Sequence, residues 1–160
     1  MAAILSLDER LLALDTDVFS DWRNQQSHTL SLVKDYRITR RVLPSLTTVT
    51  IFESRHGFEK EIARLGSLDQ KAEQQRLEME QLIRSCVILD FNERAAAISA
   101  HVFARLSQSQ RNQHWRDVFI AATALAHDHG LATRNRADFE LIGQHLPAHA
   151  PTLHLAIWKQ

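Results

Sequence analysis

Three carboxylates stand at chemically useful points of the chain. Asp15 closes the apolar run at residues 11–14, Glu53 lies in a second apolar segment, and Asp117 heads a nearly all-apolar run at residues 118–126. Gly130 breaks that run, residues 131–133 are again apolar, and Arg134, Asn135, Arg136 and Asp138 close the stretch. Each acid has a purely structural explanation. Thr50 and Glu53 have capping-box spacing, as do Asn135 and Asp138. Asp117 in a first helical turn would be favoured by the helix dipole by roughly 0.3–1 kcal/mol, and Asp15 could cap a turn. Together they suggest more. Clustered carboxylates repel one another unless cations neutralise them. Mg²⁺ binds through one or two carboxylates and completes its shell with waters and phosphate oxygens. Two such ions can activate a water and stabilise the leaving oxygen of a phosphodiester.

The elements that must position these acids follow from the apolar pattern. Residues 11–14 read as a buried strand, with Thr16 or Asp17 capping a helix from about Val18 whose apolar face holds Phe19 and Trp22. Residues 46–49 form a second strand, residues 50–65 a helix closed by Gly66, and residues 67–84 one or two surface helices. A third strand at 87–89 ends at Asp90, which reads as structural. Asn92 then caps a helix burying Ala95, Ile98, Val102 and Leu106. Residues 108–116 read as a polar loop, residues 118–126 as a buried helix, 131–133 as a strand, and 153–158 as a last strand. Alternating strands and helices predict one α/β domain over residues 1–160, with a mostly parallel central sheet and helices on both faces. Ligands of such sheets sit at the carboxyl ends of the strands, near the switch point in strand order. Several acids on that rim compose a metal-dependent nuclease site.

Composition narrows the classes. The 160 residues carry 19 basic and 19 acidic side chains, so no net charge advertises a nucleic-acid partner. No apolar run approaches the ~20 residues that span a bilayer, and residues 1–10 lack the basic lead and apolar stretch of a secretory signal. A single cysteine, Cys86, excludes an intramolecular disulfide and fits a reducing cytoplasm. The nine histidines are scattered and lack partner cysteines, which argues against a structural zinc site.

Three local stretches carry a family resemblance. Leu14, Asp15, Thr16 and Asp17 follow an apolar strand, and Glu53 precedes Gly57 by four residues. The longest block comprises Asp117, Ile120, Ala121, Ala122, Thr133, Arg134, Asn135, Asp138 and Phe139. In this order they resemble the signature blocks of PIN-domain ribonucleases, most closely the VapC-type toxins of bacterial toxin–antitoxin pairs. The resemblance spans about residues 11–143 and implies a three-layer PIN-like domain.

It further implies an endoribonuclease using Mg²⁺ or Mn²⁺, held by Asp15, Glu53 and Asp117 as catalytic acids. The fourth position falls to Asn135 or Asp138. Thr16, Asp17 and Thr133 are expected to support the acids, and Asp21 to be a solvated helix residue. RNA contacts are expected from Arg111, Trp115, Arg116, Arg134 and Arg136, with Trp115 equally able to anchor the helix in the core. A cognate antitoxin and a homodimer are the implied partners, and no membrane is. Two alternatives stand beside this. One is a catalytically silent PIN domain binding RNA or protein, supported by Asn135. The other is a haloacid dehalogenase-type phosphatase, whose opening motif Asp15 to Val18 also resembles.

Overall fold

The computed structural model describes residues 10–159. Five short strands form one parallel sheet in the order β3-β2-β1-β4-β5. They are β1 (Leu12–Leu14), β2 (Ser45–Thr47), β3 (Ile88–Leu89), β4 (Gly130–Thr133) and β5 (Leu155–Ile157). The helices between them are α1 (Thr16–Arg23), α2 (Ser27–Arg40), α3 (Thr48–Leu65), α4 (Gln70–Ser85), α5 (Glu93–Phe103), α6 (Gln108–Ala126) and α7 (Arg136–Gly143). The mostly parallel sheet expected from the sequence is therefore wholly parallel among the described residues.

Strand alternation divides the core into two layers. Leu12, Leu14, Leu46 and Ala132 pack against Phe19 and Trp22 of α1, Val33 and Tyr36 of α2, Ile51 of α3 and Met79 of α4. Ala13, Leu89 and Leu131 point the other way, against Val102 of α5, Val118 and Ala121 of α6, and Phe139 of α7. All of β1 is buried because both faces of a parallel sheet are covered by its crossover helices. Register is fixed by pairs such as Ala13 with Leu131 and Leu14 with Ala132. Gly130 makes the β1–β4–β5 approach possible: a Cβ there would come within 3.0 Å of Leu12 Cδ2 and 3.1 Å of the His154 carbonyl.

Several boundaries differ from the sequence reading, each for a local reason. Asp15 itself, rather than Thr16 or Asp17, caps α1, accepting the Val18 N–H at 2.8 Å. β2 ends at Thr47, whose hydroxyl accepts from Thr50 N, so α3 starts earlier than residue 50 and no Thr50–Glu53 capping box forms. Residues 108–116 are helix rather than loop. Ser107 and Gln110 form a reciprocal capping box, so α6 begins there and Asp117 lies in its middle, away from any first-turn dipole. Helix α2 was not separated from its neighbours in the sequence, although Thr29, Val33 and Tyr36 make a buried stripe at helical spacing. Gly66 does close α3, in the left-handed conformation at φ 84°, and Asn92 does cap α5 through Ala95 N. The surface segment after Gly66 is one helix, and the last strand is confined to Leu155–Ile157.

Candidate metal centre

The strand order reverses between β1 and β4, and their carboxyl ends deliver Asp15 and Asn135 side by side. Asp15 is 4% exposed. Its Oδ1 accepts from Val18 N, and its Oδ2 accepts from the Thr133 hydroxyl at 2.5 Å. The same Thr133 oxygen accepts Asn135 N at 2.9 Å, so one threonine ties the ends of both strands together. Glu53, from α3, is oriented by the Thr16 hydroxyl, which donates to Oε1 at 2.7 Å. Arg116 of α6 approaches the other oxygen of Glu53 at 3.7 Å.

Asp117 joins this group from the side of α6. Charge couples it to Asp138 and Glu53, and it acts in turn on Asp15. Burial, augmented by the charges of Asp17 and Asp117, pushes the Asp15 carboxyl up to about 7 despite its hydrogen bonds from Thr133 and Val18. Burial first, then Asp138, pushes Asp117 up to about 6, with His114 opposing. Carboxyls raised in this way are short of positive charge. Acids backed by hydroxyls make an oxygen-rich donor set that suits a hard divalent cation, so these residues fit such an ion.

The fourth acidic position divides between two residues. Asn135 caps α7, accepting Asp138 N at 3.3 Å, while its amide nitrogen donates to Asp138 Oδ2. Asp138 supplies the charge on this side: His114, Asp117 and Asp138 each present a ligand atom, all within 4.8 Å of one another. In the sequence His114 belongs to the polar stretch just before Asp117, read as a loop that could approach the site, with no ligand role. Its i,i+3 spacing to Asp117 would have marked it, had residues 108–116 been read as helix.

The residues expected to contact RNA are spread more widely. Arg111 donates to the Phe103 and Leu106 carbonyls at the end of α5, at 3.3 and 2.7 Å. Trp115 is half-buried, edge-on to Phe119 at 5.8 Å, and carries the Arg116 guanidinium over its ring at 4.9 Å. Arg134 pairs with Asp21 at 3.2 Å, which is thus half-buried rather than merely solvated, and lines a 410 Å³ cavity with His28, Thr29 and Lys159. Arg136 pairs with Glu140 along the exposed side of α7. Asp17 is exposed beside Asp15. Asp90 follows β3, two strands away from β1, and its carbonyl meets His127 Nε2 at 2.9 Å.

Comparison with known proteins agrees with this architecture. The chain is similar in structure to DNA-bound VapBC from Salmonella typhimurium, with TM-score 0.68 and 20% identity over 94% of this chain and 99% of that one. It is similar to VapBC2 from Rickettsia felis bound to a promoter DNA fragment, with TM-score 0.67 and 17% identity over 93% and 99% of the two chains. A third likeness, to the toxin–antitoxin protein VapBC-5 from Mycobacterium tuberculosis, has TM-score 0.60 and 22% identity over 92% and 98%. At these identities the likeness is one of fold. No curated protein matches the sequence. The family description that matches is "PIN domain", over residues 12–143, and it takes in the strand ends, Glu53, Asp117 and Asp138 alike. The chain belongs to the PIN domain family.

Proposed function

We propose that the chain is a divalent-cation-dependent endoribonuclease, the VapC-type toxin of a cytoplasmic toxin–antitoxin pair. One observation carries this reading. Asp15, Glu53, Asp117 and Asp138 gather around the switch point of a parallel sheet, where burial and mutual repulsion raise Asp15 to about 7 and Asp117 to about 6. Asp15, Glu53 and Asp117 would hold Mg²⁺ or Mn²⁺, with Asp138 rather than the neutral Asn135 adding the further charge. The chemistry such ions supply when bound is activation of water and neutralisation of charge on a phosphodiester. Thr16 and Thr133 keep Glu53 and Asp15 in fixed orientations, and Asp17 adds negative charge at the rim.

RNA would lie along α6, where Trp115 and Arg116 offer a stacking face and a phosphate partner next to Glu53. Arg134 and Arg136 extend the basic rim. Arg111 serves that surface by fixing the start of α6. The likeness to VapBC structures supports a cognate antitoxin, and an arginine from it would compete with the cation for the acids. A homodimer is part of the same reading. No helix among the described residues is long and apolar enough to cross a membrane. Membership of the PIN family displaces the phosphatase alternative.

The test is cleavage of single-stranded RNA by purified protein with Mg²⁺, Mn²⁺ or EDTA. Cleavage that needs the cation and disappears in folded Asp15→Asn supports the reading, and cleavage at the wild-type rate in that variant overturns it. The alternative of a silent binding module draws on Asn135 and predicts no Mn²⁺ binding dependent on Asp15 and Asp117 by calorimetry.

A further inference from the structure

His114 is the most unusual member of the acidic cluster. It is 5% exposed, yet its Nδ1 is 3.6 Å from Asp117 Oδ2 and 3.8 Å from Asp138 Oδ2. Both separations exceed a direct hydrogen bond, so the ring of a buried residue faces two carboxylates at charge-pair distance. Ligands of one cation with bonds of roughly 2.1 Å stand roughly 3–3.5 Å apart, close to these gaps. The spacing is also apt. A histidine and a carboxylate at i,i+3 on one helix share a face, and the same spacing builds carboxylate–histidine metal sites in helix bundles. Here α6 gives His114 and Asp117, and α7 closes the site with Asp138.

We infer that His114 is a nitrogen ligand of the cation held by Asp117 and Asp138, and that it makes this centre prefer Mn²⁺ over Mg²⁺. The inference rests on the metal-dependent reading above and deepens it by naming the ion class. Imidazole favours first-row transition ions, whereas Mg²⁺ is served by oxygen. Without His114 the remaining donors are carboxylates and hydroxyls, which discriminate little between the two ions.

The test uses the full chain with one equivalent of Mn²⁺, read by electron spin-echo spectroscopy for coupling to a directly bound ¹⁴N, with calorimetry for Mn²⁺ and Mg²⁺. The wild type should show nitrogen coupling. His114→Gln should lose it and bind Mn²⁺ at least roughly tenfold more weakly, while Mg²⁺ affinity changes little. Coupling absent in the Mn²⁺-loaded wild type overturns the assignment, whether or not the variant folds. Coupling that persists in His114→Gln, or equal losses for both ions, also overturns it and leaves His114 a structural link between α6 and α7. Wild type that binds neither ion defeats the metal-dependent function itself, a result distinct from Mn²⁺ binding without nitrogen.

Discussion

The two halves of the acidic cluster are built differently. Asp15 sits at a strand end, buried, with Oδ1 and Oδ2 each taken by a hydrogen bond from the scaffold. Asp117 sits in the middle of a helix with its side chain 32% exposed, and its close neighbours are the His114 ring and the carboxylates of Asp138 and Glu53. One half is held by hydrogen bonds that also cap α1 and join β1 to β4. The other is held by the packing of α6 and α7 and by electrostatics. A ligand fixed by its hydrogen bonds sets position, while one fixed only by its helix can adjust to what binds.

The largest expected effect tests whether both halves are needed at all. Asp15→Asn and Asp117→Asn should each lower RNA cleavage by roughly 10²–10³-fold, the scale of losing one preorganised electrostatic group. Single-turnover rates at saturating Mn²⁺ check this, and a loss confined to one variant would mean that one half suffices.

Next is stability against pH in the metal-free protein. Both carboxyls are raised, to about 7 and about 6, from an unfolded value near 3.9. Their contribution is therefore complete below about pH 4, declines progressively above it, and is gone once pH has risen through about 6 to 7. Urea midpoints with EDTA should fall over that window. Asp15→Asn should remove the upper part of the fall, amounting to a few kcal/mol, because its amide oxygen still accepts from Val18 N. Added Mn²⁺ at pH 7.5 should restore the wild type by binding the native state alone.

The hydrogen-bonded half should also be the more sensitive to its supports. Thr133→Val removes the donor to Asp15 Oδ2 and the acceptor for Asn135 N. We expect a loss of about 1–3 kcal/mol by urea denaturation, with Mn²⁺ affinity lowered by roughly 10–100-fold. Gly130→Ala, crowding Leu12 and the His154 carbonyl, should cost a similar ~1–3 kcal/mol while leaving the ligands in place. Smallest is Ser107→Ala. It breaks the capping box that starts α6 and should cost about 1 kcal/mol, with little effect on cleavage because Asp117 lies well inside the helix. A large activity loss there would mean that the adaptable half depends on the whole length of α6.

Much of the fold was legible because its signals are local. The buried strands β1 and β4 are short apolar runs, β1 starting at Leu12 because Leu11 is exposed, and Gly66 and Asn92 are caps whose chemistry acts within one turn. The first half of α6 was not legible by hydrophobic pattern, since a helix turned largely to solvent has no apolar period to show. Its start was written in Ser107 and Gln110, a weak signal that the surrounding polar residues obscured. Thr47 and Thr50 show the same difficulty at the start of α3, where either threonine could cap. Only the end of β2 decided between them.

The sequence by itself determined the alternation of strand and helix, the two-faced burial of β1, and the family blocks that carry Asp15, Glu53 and Asp117. These depend on residue type and spacing along the chain. Tertiary structure alone decided that the order reverses between β1 and β4, that Thr133 bonds to Asp15 across 118 residues, and that α7 brings Asp138 to His114 and Asp117. Those contacts depend on which strands pair and how helices pack over them, and no short-range pattern encodes a partner so distant in the chain.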